Sequence, residues 1–418
     1  CPGRAMQEAQ AAQGRVMAGE TLQPLFGLPL AVKDAEPVAG LRFTCGSLVH
    51  RDRIAGTDSI HVARLRAAGA IVVGKTNTPE FTLLGETRNR LGPDTCNPWD
   101  QSRTPGGSSG GSAAALAAGM VPLATGTDTA GSITVPAAFC GLVGLKPSHR
   151  RVPVWPGPDD WSPYSDVGPM ARTVAGLSLM FTASAGPDRR DPFCAPPTVP
   201  SLPTRPLRIS WATTLAGLPV AQDCAAAAEA LALAFAAAGH HITPEAPTIP
   251  DPGPAHDLLG AVEEYRARGT LLDNRADLLM PETRAILEIG RSASAEAISN
   301  ARAASRDVAA VFRRFMAGRD LFILPATACP AFPLQAPPDR IAGRRVTPDW
   351  PSYAPFNMLG NITGLPVGTL PVRLTGRGLP AGALIFANSD QDELLLAAMS
   401  EIEAMGIGLG QVPLSSGR

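Results

Sequence analysis

The chain has 418 residues, 45% of them hydrophobic, and 36 Lys and Arg balance 37 Asp and Glu to a net charge of −1. That balance removes the electrostatic case for nucleic acid or an anionic membrane as a partner. The apolar fraction supports a large core, and no apolar run is long enough to span a bilayer.

In chain order, residues 27–33 read as a strand ending at Lys33. Thr57-Asp58 can cap a helix to Ala68, with Ile60, Val62, Ala63 and Leu65 toward a core. Ala70 to Gly74 reads as a short buried strand, and Thr76 to Thr104 as a polar, proline-bearing excursion. Ser109 to Ala118 predicts a small-residue helix, Val121 to Ala124 a strand, and Phe139 to Leu145 another. Residues 151–206 read as loop with one helical insert from Val174 to Ala185. A strand restarts at Leu207 to Trp211, a helix covers Ala221 to Ala238, and His241-Ile-Thr243 follows. Ala261 to Gly318 reads as largely helical, broken at Met280-Pro281. Late strands are expected at Leu321 to Leu324, Gly368 to Val372 and Ala383 to Phe386, with a closing helix from Gln391 to Met405. Strands alternating with helices predict an α/β sheet with parallel stretches.

Seven scattered cysteines without a Cys-x-x-Cys pair argue for reduced thiols in a cytoplasm. The chain opens on Cys1-Pro-Gly-Arg4 and reads as a truncated start. None of the six histidines has metal-ligand spacing, so no metal site is expected.

Two glycine-rich turns carry the candidate chemistry. Arg103-Thr-Pro-Gly-Gly-Ser-Ser-Gly-Gly-Ser112 runs straight into a helix, so it is an ordered entry with exposed N–H groups rather than a linker. Its Gly-x-Ser-x-Gly match lacks the buried strand that a nucleophile elbow needs, and no P-loop Lys follows. Gly126-Thr-Asp-Thr-Ala-Gly-Ser132 follows a strand; alone it reads as a tight turn with polar ends. Lys33, alone a solvated strand end, closes an apolar run, and a buried, neutral amine can serve as a base.

Together, residues 27–34, 74–79, 97–99, 105–111 and 126–132 resemble the amidase signature family, and residues 136–148 and 168–172 continue the likeness. The resemblance implies one amidase domain over residues 1–418. Its parts would be a signature core (24–186), a variable, largely helical and loop region (187–320), and a C-terminal part (321–418) returning to the core sheet. It implies an α/β fold with a single large mixed, twisted sheet covered by helices on both faces, and no cofactor. Ser132 would be the nucleophile, Ser108 the bridging serine on a cis peptide bond, and Lys33 the base. Ser109 is the rival for the bridging role; Ser108 is preferred because it lies 24 residues before Ser132. Backbone N–H groups of Thr129, Ala130, Gly131 and Ser132 would hold an oxyanion. The stretch from Pro79 to Thr87 would form a pocket wall, with Thr82, Leu83 and Ser109 as substrate contacts.

Three departures from the family pattern stand out. Ala130 replaces a usual glycine and would be strained at positive φ. Thr134 replaces a common arginine, which puts an ion pair with Asp128 in doubt. The usual N-terminal helical segment is expected to be absent or clipped. The expected function is a serine amidohydrolase acting on small-molecule hydrophobic or aryl amides, carbamates and esters, as a monomer or homodimer. A likeness to bacterial urethanases would put Arg150 and Arg151 at the rim of an open pocket. The alternatives are the amidase subunit of a glutamine-dependent tRNA amidotransferase and a non-catalytic binding module that keeps the fold.

Overall fold

The computed structural model describes residues 1–156, 164–195 and 203–409. The loop expected at 151–206 and the C-terminal part 321–418 therefore lie partly outside the described residues.

Helix α1 (Pro2–Met17) precedes β1 (Pro29–Lys33), α2 (Ile60–Ala67) and β2 (Ile71–Thr76). Next come α3 (Gly110–Ala117), β3 (Leu123–Asp128), α4 (Thr134–Cys140), β4 (Val143–Lys146), β5 (Asp166–Ala171) and α5 (Val174–Ser184). The central third holds β6 (Arg208–Trp211), α6 (Gln222–Ala237), β7 (His241–Pro244), α7 (Gly253–Arg268), α8 (Thr270–Asn274), α9 (Pro281–Ser292) and α10 (Ala295–Met316). After β8 (Leu321–Pro325), a small hairpin of β9 (Arg340–Ile341) and β10 (Arg344–Arg345) leads to α11 (Trp350–Tyr353) and α12 (Met358–Thr363). Strands β11 (Val367–Leu374) and β12 (Pro380–Ala387) and helix α13 (Asp392–Ala404) close the described chain.

Ten strands form one mixed sheet in the order β2-β1-β3-β5-β4-β11-β12-β8-β6-β7. Its two ends are parallel and its centre antiparallel. Successive side chains of a strand point to opposite faces, and β8 and β12 supply both cores. Leu321, Ile323, Ala383 and Ile385 pack with Phe235 of α6 and Met399 of α13, while Phe322, Leu324, Leu384 and Phe386 pack with Phe312 of α10 and Leu359 of α12. Helices thus cover both faces, which is why these strands are apolar without alternation.

Three local expectations change. Residues 139–140 end α4 rather than start a strand: Gly141, at φ 68°, stops the helix in the left-handed conformation, and the strand begins only at Val143. Strand β5, inside the stretch read as loop, carries Gly168-Pro169, yet it is paired on both sides by β3 and β4. Helix α2 is capped by Ser59, whose hydroxyl accepts from Val62 N at 3.1 Å; Asp58 instead accepts from Ala39 N at 2.7 Å. No disulfide joins any of the seven cysteines, and no helix among the described residues is long and apolar enough to cross a membrane.

Candidate active site

Strand β1 sets the site. Leu30 and Val32 enter the large core, so Ala31 and Lys33 face the other way, toward α3 and Ile133. Lys33 is fully buried. Its Nζ lies 2.7 Å from Ser108 Oγ, 2.7 Å from Thr127 Oγ1 and 3.4 Å from the Thr127 carbonyl. Burial brings its pKa down from 10.5 to about 7, against the pull of Asp128 and Glu36, which raise it.

The Gly107–Ser108 peptide is cis. Thr78 Oγ1 donates to the Ser108 carbonyl at 3.0 Å, and Ser109 N donates to the Ser132 carbonyl at 3.1 Å, so the two serine turns are tied together. Gly107 is needed here because a Cβ would come within 2.6 Å of the Leu84 carbonyl oxygen. Among the described residues no hydrogen bond joins the Ser108 and Ser132 hydroxyls; Ser108 Oγ is taken by Lys33.

Asp128, at the end of β3, organises the second turn. Its carboxylate accepts from Gly131 N at 2.8 Å, Ile133 N at 2.7 Å and Thr134 N at 3.4 Å. Backbone amides therefore stand where an arginine partner was in question, and Thr134 completes the set. The positive φ falls on Gly131, at 114°, and not on Ala130, so alanine there is unstrained. A Cβ at Gly131 would sit 2.3 Å from Asn357 Cβ. Because the Gly131 N–H is committed to Asp128, it drops out of the expected oxyanion donors. The Ala130 and Ser132 amides have no hydrogen-bond partner among the described residues.

Ser132, half-buried, opens onto a cavity of about 880 Å³ whose walls include Thr129, Ala130, Phe81, Thr82, Leu83 and Leu84. Thr82 and Leu83, expected as substrate contacts, line this cavity. Ser109, also expected there, is not among the lining residues: it is fully buried, its Oγ donating to Thr127 O at 3.3 Å and accepting from Thr127 N at 3.4 Å. Arg150 and Arg151 do not border the cavity either. Both are buried, Arg150 against Asp191 at 3.2 Å and Arg151 against Glu393 at 2.5 Å and Asp392 at 3.5 Å. Charges not foreseen also line the cavity, among them Arg88, whose Nη2 pairs with Glu282 Oε1 at 2.6 Å, and Glu264 and Arg268. The pairing of Arg88 with Glu282 across 194 residues left no local signal. No group of three or more His, Cys, Asp or Glu among the described residues is placed to hold a metal.

Comparison with known proteins identifies the family of the chain. The Amidase family model matches residues 1–396. An acylamidase of Rhodococcus erythropolis is 35% identical over 410 residues, covering 93% of this chain and 83% of that protein. A glutamyl-tRNA(Gln) amidotransferase subunit of Thermus thermophilus is 37% identical over 409 residues, covering 91% and 85%. The crystal structure of a bacterial aryl acylamidase of the amidase signature family superposes with a TM-score of 0.86 at 27% identity, over 96% of this chain and 86% of that one. With a family match across nearly its whole length and a mixed ten-stranded sheet of the same architecture, the chain belongs to the amidase signature family of amidohydrolases.

Proposed function

We propose that this chain is a single-domain serine amidohydrolase that cleaves amides of hydrophobic acyl or aryl groups through an acyl-enzyme on Ser132. The observation that carries this reading is the buried Lys33 amine held 2.7 Å from Ser108 Oγ, behind the cavity wall that contains Ser132. Neutral Lys33 takes the Ser108 proton as Ser108 takes that of Ser132, and Ser132 Oγ attacks the substrate carbonyl carbon. The Ala130 and Ser132 N–H groups receive the oxyanion, a donor of this kind contributing about 3–4 kcal/mol. The tetrahedral intermediate collapses, the C–N bond breaks, and the leaving amine takes the proton back along the relay. Water then attacks the acyl ester, releasing the acid and restoring the Ser132 hydroxyl. Carbamates and esters share this path, so their turnover is part of the proposal.

Phe81, Leu83 and Leu84 support a hydrophobic substrate, each buried CH₂ being worth roughly 0.8 kcal/mol. One observation favours a second reading, a glutamine-using amidotransferase component: Arg88 and Glu282 offer opposite charges in the same cavity. Their mutual pairing already satisfies much of that charge, so the hydrophobic reading stands first. The scattered free thiols suit a reducing cytoplasm, and a monomer or homodimer is the proposed assembly. The test is kcat/KM for a hydrophobic anilide against glutamine. A higher value for the anilide is expected; a higher value for glutamine would promote the second reading.

A further inference from the structure

Three successive carbonyls of the turn before Ser132 are each held by a side-chain donor from a distant part of the chain. Asn361 Nδ2 donates to the Asp128 carbonyl, His256 Nε2 to the Thr129 carbonyl and Trp350 Nε1 to the Ala130 carbonyl, each at 3.0 Å. A trans peptide is planar with C=O and N–H antiparallel, so fixing the oxygen fixes the direction of the next residue's N–H.

The peptides of this turn are not held alike. The Ala130–Gly131 unit is held at both ends, by Trp350 at its oxygen and by Asp128 at its N–H. The Gly131–Ser132 unit is held locally, its oxygen accepting from Val135 N at 2.8 Å in the first turn of α4. The Thr129–Ala130 unit is held at its oxygen by His256 alone among the described residues, and its N–H, on a residue of the cavity wall, has no partner there. A carbonyl can only accept, so His256 Nε2 carries the proton of this bond. His256 comes from α7, is 7% exposed and packs against the Tyr164 ring, centroids 5.8 Å apart and planes tilted by 45°.

We propose that His256 is a positioning residue for hydrolysis, aiming the Ala130 N–H at the oxyanion by holding the Thr129 carbonyl. His256 also stands in the cavity wall, and the role assigned to it runs through the peptide it holds. Helix α7, in the stretch read as the variable region (187–320), thereby couples that region to transition-state stabilisation. This inference rests on the oxyanion assignment of the proposed function, and its test separates the two.

The test compares wild type, His256→Gln, His256→Leu and His256→Phe on a hydrophobic anilide and on its thioamide, in which sulfur replaces the atom that becomes the oxyanion. Phenylalanine keeps a ring against Tyr164 without a donor, and thermal unfolding reports whether each variant is folded. Wild type is expected to favour the oxygen substrate strongly. Both donorless variants are expected to lose kcat roughly tenfold or more on the anilide, short of the roughly 10²- to 10³-fold cost of deleting an oxyanion donor outright. KM should stay within about twofold, and the oxygen-to-sulfur preference should narrow, with His256→Gln recovering most of both. Equal losses on both substrates, leaving the preference unchanged, would overturn the positioning role, as would wild-type kcat in a donorless variant. A wild type that does not distinguish oxygen from sulfur would overturn the oxyanion assignment itself, and the role of His256 with it.

Discussion

The Lys33 amine and the Ser108 hydroxyl are 75 residues apart in the chain and 2.7 Å apart in space, both fully buried. Solvent therefore does not set the charge of the lysine; burial and the nearby carboxylates do.

The first prediction follows from that charge. With a pKa near 7, Lys33 is protonated and unable to accept a proton below that pH, and neutral above it. The pH profile of kcat/KM should rise through about pH 7 to a plateau. Lys33→Met should lose roughly 10²- to 10⁴-fold in rate together with this limb, and Lys33→Arg, which stays charged, should not rescue it. Because the folded pKa is below 10.5, the unfolded chain binds more protons between about pH 7 and 10.5. Stability should therefore rise with pH across that window, and Lys33→Met should flatten the rise, as read by denaturant midpoints.

The second prediction separates the adjacent serines. Ser108→Ala breaks the contact with Lys33 and should lower kcat by roughly 10²-fold or more. Ser109→Ala removes only two long contacts to Thr127 and should cost about 1 kcal/mol of stability with less effect on rate. The reverse ranking of kcat would move the bridging role to Ser109.

Pocket size gives the third. Leu83→Ala enlarges the cavity beside Thr82 and Phe81 and should raise kcat/KM for bulky aryl carbamates relative to small amides. An unchanged ratio would mean that this wall does not touch the substrate.

Arg151 gives the fourth. Arg151→Met leaves the fully buried Asp392 and its neighbour Glu393 without their cation and should destabilise the fold by about 3–5 kcal/mol. Since Arg151 is not part of the cavity wall, kcat at low temperature should stay near wild type. Lost activity in a variant of unchanged stability would restore the pocket-rim role read from the sequence.

What the sequence made legible was local. Lys33 at the end of an apolar strand, the two glycine-rich turns and the Phe81–Leu84 wall all lie in contiguous motifs; Ser132 and Phe81–Leu84 line one cavity, and Lys33 meets Ser108 in the buried layer behind it. What was missed depends on partners far along the chain. Arg151 reads as a pocket-rim residue until α13 supplies Asp392 and Glu393. Strand β5 contains Gly168-Pro169, which looks like loop until β3 and β4 pair with it. His256 has no ligand spacing and no motif; its partner, the Thr129 carbonyl, lies 127 residues away. The Gly131 N–H was lost from the donor set because Asp128 turns back on its own loop, a geometry that residue types alone do not announce.

The central claim, that Ser132 is the nucleophile, is tested most directly by intact-protein and peptide mass spectrometry after reaction with a fluorophosphonate probe. One probe per chain is expected, on the peptide carrying Ser132, with no adduct and no hydrolysis of any amide, carbamate or ester in Ser132→Ala. An adduct on Ser108 or Ser109, or a folded Ser132→Ala that keeps more than a few per cent of activity, would contradict it.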